Sequence, residues 1–254
     1  TPAGRGAEEL WSALDGLLSR RPPDPDLSAV GVGCGGPMSL DGELVSPLNI
    51  PGWRDFPLKQ RLRDLTSLPV WVDNDAKALA LAEGWLGCAV DERDYISMVV
   101  STGVGGGIVL DGRLLDGKSG NAGHVGHVIV EPDGRRCRCG GRGCLEAEAS
   151  GTAIAEITGR PAVEAGPQVV DRTGRLVGRA IADVANLLDL KLATLSGSVA
   201  LGFGDPFFAS AQEEVDERCR LDFSSGCRVV RSELGATGPL LGAAAVAWRG
   251  SAGV

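Results

Sequence analysis

Several things are scarce in this chain. Aromatic residues make up 4% of it, with a single Tyr. No apolar run reaches the ~18 residues that a membrane-crossing helix needs. The opening residues carry no secretory-leader pattern either. Positive charge is also limited: 25 Lys and Arg stand against 33 Asp and Glu, a net charge of −8. That balance argues against a basic surface for nucleic acid. No internal repeat and no low-complexity tract is visible. The expected partners therefore include neither a membrane nor nucleic acid, and the expected compartment is the cytoplasm.

What the chain does have is glycine, 38 residues in 254, with 43% hydrophobic and 23% charged residues. This length supports one large or two modest domains. Few aromatics and many glycines suit an α/β protein with tight turns and small-residue packing. Four of the seven Cys (Cys34, Cys88, Cys219 and Cys227) are scattered through apolar or Gly-rich stretches and are expected as buried, reduced thiols.

The other three are not scattered. His127, Cys137, Cys139 and Cys144 fall within eighteen residues, in HVIVEPDGRRCRCGGRGCLE. An imidazole and three thiolates are what a closed tetrahedral zinc site requires, and one loop can supply all four. Gly140, Gly141 and Gly143 let that loop fold tightly. The zinc so held would be structural, because no position remains open for water.

Periodicity organises the rest. A helix is expected over about 7–18, followed by breaks at Pro22, Pro23 and Pro25. LSAVGVGCGG reads as a strand running into a Gly-rich turn, Leu44 to Val45 as a short strand, and Leu58 to Leu65 as a helix. PVWVDND is a strand ending in carboxylates, and Ala76 to Leu86 an Ala-rich helix. YISMVVSTGVGGGIVLDGRLL reads as strand, Gly loop and strand, with Asp111-Gly112 turning into a third. A helix begins within Cys144 to Ser150. A second, over Gln168 to Leu188, presents Leu176, Val177, Ala180, Ile181, Val184 and Leu187 on one face. LATLSGSVAL then reads as a buried strand, Pro206 to Arg218 as a helix, Cys227 to Val230 as a strand, and a closing helix starts at Pro239.

Chemistry gathers at three places. The STGVGGG loop lacks the Gly-Lys-Ser/Thr ending of a P-loop, and no helix follows it as a Rossmann loop requires. It sits inside a hairpin, where the Thr102 hydroxyl and successive Gly amides can form a phosphate cradle; a simple turn or bulge needing positive φ is the competing reading. Asp73, Asn74 and Asp75 end a strand and enter a helix, where ligands of α/β proteins bind. Asp73 or Asn74 can cap that helix, leaving Asp75 to accept a proton from a substrate hydroxyl and Asn74 to orient the same molecule. Glu146 directly follows the knuckle, so the metal would fix its position. Glu148 and Glu156 are expected to solvate a helix face.

WVDNDAKALALAEGWLG, STGVGGGIVLDG and GHVIVEPDGRRCRCGGRGCLEAEASG together resemble the ROK family (repressors, open reading frames and sugar kinases), in particular its bacterial glucokinase-like members. The resemblance extends over GVGCGGPMS, PLNIPGW and the closing GPLLGAAAVAW. It implies an actin-like (ribonuclease H-like) two-domain α/β ATPase fold with a central cleft. Residues 1–94, completed by a C-terminal helix over 238–254, would form the smaller domain, and 95–237 the larger one. Asp75 matches the catalytic base, and Asn49, Asn74, His127 and Glu146 match sugar-binding positions. Thr102, Gly103, Gly105 and Gly106 match the second phosphate motif. ATP, Mg²⁺ and a hexose phosphorylated at its primary hydroxyl are implied, as is a homodimer or homotetramer. A sugar-sensing regulator of the same family and a non-catalytic sugar-binding protein are the alternatives.

The chain departs from the family pattern in four respects. An Asp-x-Gly-x-Thr strand motif is missing, and a chain starting at Thr1 is expected to be a fragment whose first strand hairpin lies upstream. His124 stands where the family's sugar kinases carry a sugar-binding Glu. Ser196-Gly197-Ser198 replaces a Gly-Gly on the adenosine side. The stretch between Ile157 and Val170 is shorter than expected and reads as a possible gap.

Overall fold

The structure is a computed structural model, and it describes residues 6–20, 22 and 24–252. Pro23 and the outermost ends of the expected domains (residues 1–5, 253 and 254) lie outside the described residues. The elements run α1 (Ala7–Leu18), β1 (Val30–Cys34), α2 (Leu58–Thr66), β2 (Val70–Asn74), α3 (Asp75–Leu86), β3 (Tyr95–Val100), β4 (Val104–Leu110) and β5 (Arg113–Leu114). They continue with α4 (Leu145–Ala149), α5 (Gly151–Thr158), α6 (Pro167–Leu188), β6 (Leu192–Ser196), α7 (Ser198–Phe203), α8 (Asp205–Arg218), β7 (Arg228–Arg231) and α9 (Gly238–Ala252). Among the described residues no helix is long and apolar enough to cross a membrane.

Two sheets organise the chain. β1 and β2 pair in parallel, Val30 opposite Val70 through Cys34 opposite Asn74. A parallel pair needs a crossover, and the segment containing α2 supplies it. The core beneath joins Leu10, Val45, Phe56, Leu58, Leu62 and Val70, with Trp53 stacked on Phe56 at 4.4 Å between ring centroids. α9 lies directly on β1. A Cβ at Gly31 would come within 1.8 Å of the Ala243 carbonyl oxygen, so no larger residue fits there.

The second sheet has the order β5-β4-β3-β6-β7. β3, β6 and β7 are parallel, whereas β4 runs antiparallel to β3 and to β5. Its largest core packs Ile96, Met98, Leu145, Ile181, Leu195 and Phe207 together. The amphipathic pattern of α6 is what allows it to cover this sheet beside α8. α3 lies against both sheets: β4 approaches so closely that Cβ atoms at Gly105 and Gly107 would fall 2.9 and 2.6 Å from those of Ala76 and Ala80.

Three expectations need correction. Leu187 is 79% exposed rather than part of the buried α6 face. Asn186 bonds the carbonyl of Arg218, the last residue of α8, so α8 ends level with it and Leu187 has no facing helix. The strand read from LATLSGSVAL stops at Ser196, where Gly197 turns with φ 96° and α7 begins. Leu44 to Val45 is no ladder strand, since Val45 makes only single bridges to Met38 and Phe56.

Candidate active site

A cavity of about 950 Å³ brings the sequence-derived residues together. Asn49, Asn74, Asp75, His124, His127 and Glu146 line it, as do Thr102, Gly103, Gly105 and Gly106.

The carboxylate cluster at the end of β2 divides its tasks. Asn74 is the N-cap of α3, its side-chain oxygen accepting from the backbone nitrogens of Ala76 at 3.0 Å and Lys77 at 3.3 Å. Asp73 turns away, forming ion pairs with Lys77 at 2.8 Å and Arg249 at 3.3 Å. Asp75, the first residue of α3, is left exposed in the cavity, with Oδ1 accepting from the Ala76 nitrogen at 2.9 Å. Among the described residues no Lys or Arg pairs with it. The positive end of the α3 dipole favours a carboxylate at this place. Cys34, at the end of neighbouring β1, has its thiol pushed up to about 12 by burial and then by the negative charge of Asp75. Cys34, Cys219 and Cys227 are buried free thiols as expected, whereas Cys88 is only partly buried, its thiol donating to Glu83 Oε2 at 3.1 Å just past the end of α3.

The STGVGGG loop is a three-residue hairpin turn between β3 and β4, with Val100 opposite Val104. Its glycines do not carry positive φ; Gly105 and Gly107 are required by the close approach of α3 described above, and Gly106 by Val125 and the Ser97 carbonyl, 2.8 and 3.0 Å from where its Cβ would stand. Helix α5 backs the turn, Thr152 donating its hydroxyl to the Thr102 carbonyl at 2.9 Å. From the other side Glu146 Oε2 accepts from the Val104 nitrogen at 3.1 Å. A Cβ on Gly103 would sit 2.8 Å from the same oxygen.

In the knuckle, the ligand atoms of His127, Cys137, Cys139 and Cys144 all lie within 4.8 Å of one another. Cys137 Sγ is 3.7 Å from His127 Nδ1, and Cys139 Sγ is 3.7 Å from Cys144 Sγ. Tetrahedral zinc with Zn–S near 2.3 Å spaces its sulfurs about 3.8 Å apart, so the donor set fits that ion. The loop closes tightly because Gly140 and Gly143 adopt φ of 94° and 69°. His127 Nδ1 faces the sulfurs while its ring also lines the cavity. The His124 ring lies 6.2 Å from it, nearly parallel. His124 Nδ1 is 2.8 Å from the Asn121 carbonyl, which can only accept, so in the neutral ring Nε2 is the acceptor.

The sequence model described as the ROK family matches residues 1–249. The chain belongs to the ROK family. It is 40% identical over 221 residues to the N-acetylmannosamine kinase of Citrobacter koseri, a match covering 80% of this chain and 75% of that one. The solved ROK hexokinase of Thermus thermophilus is similar with a TM-score of 0.85 and 34% identity, covering 100% of this chain and 90% of that one. A ROK family glucokinase from Streptomyces griseus, solved with glucose and AMPPNP, gives 0.82 and 28%, covering 96% and 89%. The chain shares the actin-like fold of these ROK kinases.

Two supports of this ROK site escaped the sequence reading. Glu148 does not solvate a helix face: it is 2% exposed, accepts from the Arg135 nitrogen at 2.6 Å and pairs with Arg172 of α6 at 2.6 Å. α4 is a single short helix wedged between the knuckle and α6, so it has little solvent face. Glu156 does stay at the surface, beside Arg135 and Arg138. The second support is Lys77, 1% exposed, whose ammonium bonds Asp73 at 2.8 Å, Asp116 at 2.8 Å and the Gly120 carbonyl at 3.1 Å. An i, i+4 relation to Asp73 was the one signal in the sequence pointing to it.

Proposed function

We propose that this chain transfers the γ-phosphoryl group of ATP to a hexose hydroxyl, with an N-acylated hexosamine as the preferred acceptor. The observation that carries the reading is the placement of Asp75 in one cavity with the Thr102–Gly106 hairpin, Glu146 and the two histidines. We also read the two sheets as two domains, the smaller completed by α9, with this cavity as the cleft between them.

Asp75 has the position and chemistry of a general base. It takes the proton of the attacking hydroxyl as the oxygen forms its bond to the γ-phosphorus and the bond to the ADP oxygen breaks. Asn49, Asn74, Glu146 and the histidines orient the sugar, since hydroxyl groups need both donors and acceptors. Thr102 and the hairpin amides receive the phosphates. Mg²⁺ on the nucleotide supplies charge neutralisation. His127, Cys137, Cys139 and Cys144 would hold a zinc ion whose contribution is structural, bracing Glu146 and the His127 ring.

The N-acyl preference rests on the similarity to N-acetylmannosamine kinase together with His124, an imidazole where the sequence resemblance leads one to expect a glutamate. ADP release with Mg²⁺-ATP and N-acetylmannosamine, N-acetylglucosamine, glucose or fructose tests both statements. We expect kcat/KM for N-acetylmannosamine to exceed that for glucose at least about tenfold, the range of one net hydrogen bond. A preference for glucose would overturn the N-acyl assignment alone. No ADP release with any sugar would overturn the kinase reading.

A further inference from the structure

The residues around Lys77 come from four segments. Asp73 ends β2, Lys77 lies in the first turn of α3, Arg249 is on α9, and Asp116 follows β5. Lys77 spends its three donors on Asp73, Asp116 and the Gly120 carbonyl. Arg249 reaches Asp73 Oδ2 at 3.3 Å and both oxygens of Asp116. Two anions thus face two cations. A second attachment lies close by: Asn121 donates to the Met38 carbonyl at 2.9 Å and accepts from the Met38 nitrogen at 3.2 Å. The Asn121 carbonyl in turn holds His124 Nδ1.

The segment from Leu115 to His124 therefore leaves the five-stranded sheet and is fastened to the other side of the cavity, to β2, α3, α9 and the loop behind β1. We propose that Asp116 is a positioning residue for the sugar: through Lys77, Arg249 and the Gly120–Asn121 stretch it sets where the His124 imidazole stands. An ion pair with one partner buried and the other half-exposed, as Lys77 and Asp116 are, is a poor source of net stability, because desolvation and solvent screening offset most of its attraction. What such a pair does supply is a defined geometry, and here the group whose geometry depends on it is a cavity-lining histidine. None of these hydrogen bonds or ion pairs involves residues 102–106; Gly123 meets the hairpin by packing on the Gly106 backbone, so the nucleotide side should respond less than the sugar side.

The inference rests on the kinase reading, and a double-mutant cycle separates the two. Steady-state kinetics would compare wild type, Asp116→Ala, His124→Ala and the double variant, with Asp116→Asn as a form that keeps the side-chain shape. Displacement of an orienting group raises the KM for sugar, and we expect about tenfold for Asp116→Ala, with the KM for ATP changed less than about twofold. In the His124→Ala background the same substitution should change the sugar KM less than about twofold, because the two act through one contact. Asp116→Asn should show the same cancellation from a smaller initial effect, and it serves if Asp116→Ala fails to fold. An unchanged sugar KM, equal increases for sugar and ATP, or full additivity with His124→Ala would each overturn the proposal while leaving the kinase reading intact. A wild type that turns over no hexose overturns both.

Discussion

Glu146 Oε2 accepts the Val104 backbone hydrogen at 3.1 Å, and this one bond joins the knuckle to the phosphate hairpin. The helix that begins behind Cys144 is thereby fixed to the first residue of β4. On the kinase reading proposed above, sugar-side and nucleotide-side groups would share a support at this point, where a phosphoryl acceptor and donor must be held in line.

Gly103→Ala tests that junction. The new methyl would meet Glu146 Oε2 at 2.8 Å, so the carboxylate has to move. Because the shared support is disturbed, the KM for sugar and for ATP should both rise, with kcat/KM falling about tenfold or more. This joint response differs from the sugar-only response expected of Asp116→Ala. Kinetics unchanged in both substrates would contradict the role given to this contact.

Asp75→Asn keeps the side chain's size and removes its ability to take a proton. A general base contributes about 10²–10⁴-fold, so kcat should fall by that factor while sugar affinity stays within a few-fold. ADP release measures the first quantity and titration calorimetry the second. A variant retaining a tenth of wild-type kcat would remove Asp75 from the role of base.

Elemental analysis should find one zinc per chain. Cys144, 3% exposed, belongs to the four-residue donor set proposed to hold it, and Cys144→Ser should abolish retention of the metal. The unfolding midpoint should drop, and the sugar KM should rise because Glu146 and His127 lose their brace. Metal-free protein with an unaltered sugar KM would show that the knuckle does not serve the cavity.

Acid should destabilise the protein through two carboxylates in particular. Burial opposes the charged form of Asp116, but hydrogen bonds from Arg249 and Lys77 outweigh it and hold the carboxyl below its ordinary range. Glu214 behaves alike, its burial overcome by Arg218 and then Arg179. With folded-state values depressed, the unfolded chain binds more protons in this window. Their contribution is complete above the ordinary carboxylate value of about 4 and disappears as pH falls through the folded values. Thermal scans from pH 7 to pH 3 should show the midpoint falling most steeply below about pH 4, and Asp116→Asn should make that fall shallower. Added salt should weaken the Asp116 part, since its side chain is 42% exposed.

The sequence revealed those parts of the site whose residues are neighbours in the chain. The knuckle is contained in eighteen residues, and the Asp73–Asp75 string sits at a strand-to-helix junction that period and composition mark clearly. Even the division of labour inside that string reduced to two candidates for the cap, of which the structure selects Asn74. What stayed hidden depends on long-range meetings. Lys77 and Asp116 are 39 residues apart, and Arg249 lies 133 beyond Asp116. Glu148 reads as a surface carboxylate until Arg172, 24 residues later, is folded against it. The end of β6 was misjudged for a local reason, since a lone Gly inside an apolar run gives no notice of its φ.

The seat of α9 on β1 has a consequence for how the protein is made. Gly31 touches Ala243, so the first sheet receives its covering layer only after more than two hundred further residues have been translated. At about 5–20 residues per second that delay is roughly 10–40 s. During it any β1–β2 pair that forms would have the face later taken by α9 uncovered, while α3 and the second sheet are already emerging. Newly synthesised chains arrested just before residue 238 should therefore engage ribosome-associated chaperones through this face and release them once the final helix emerges.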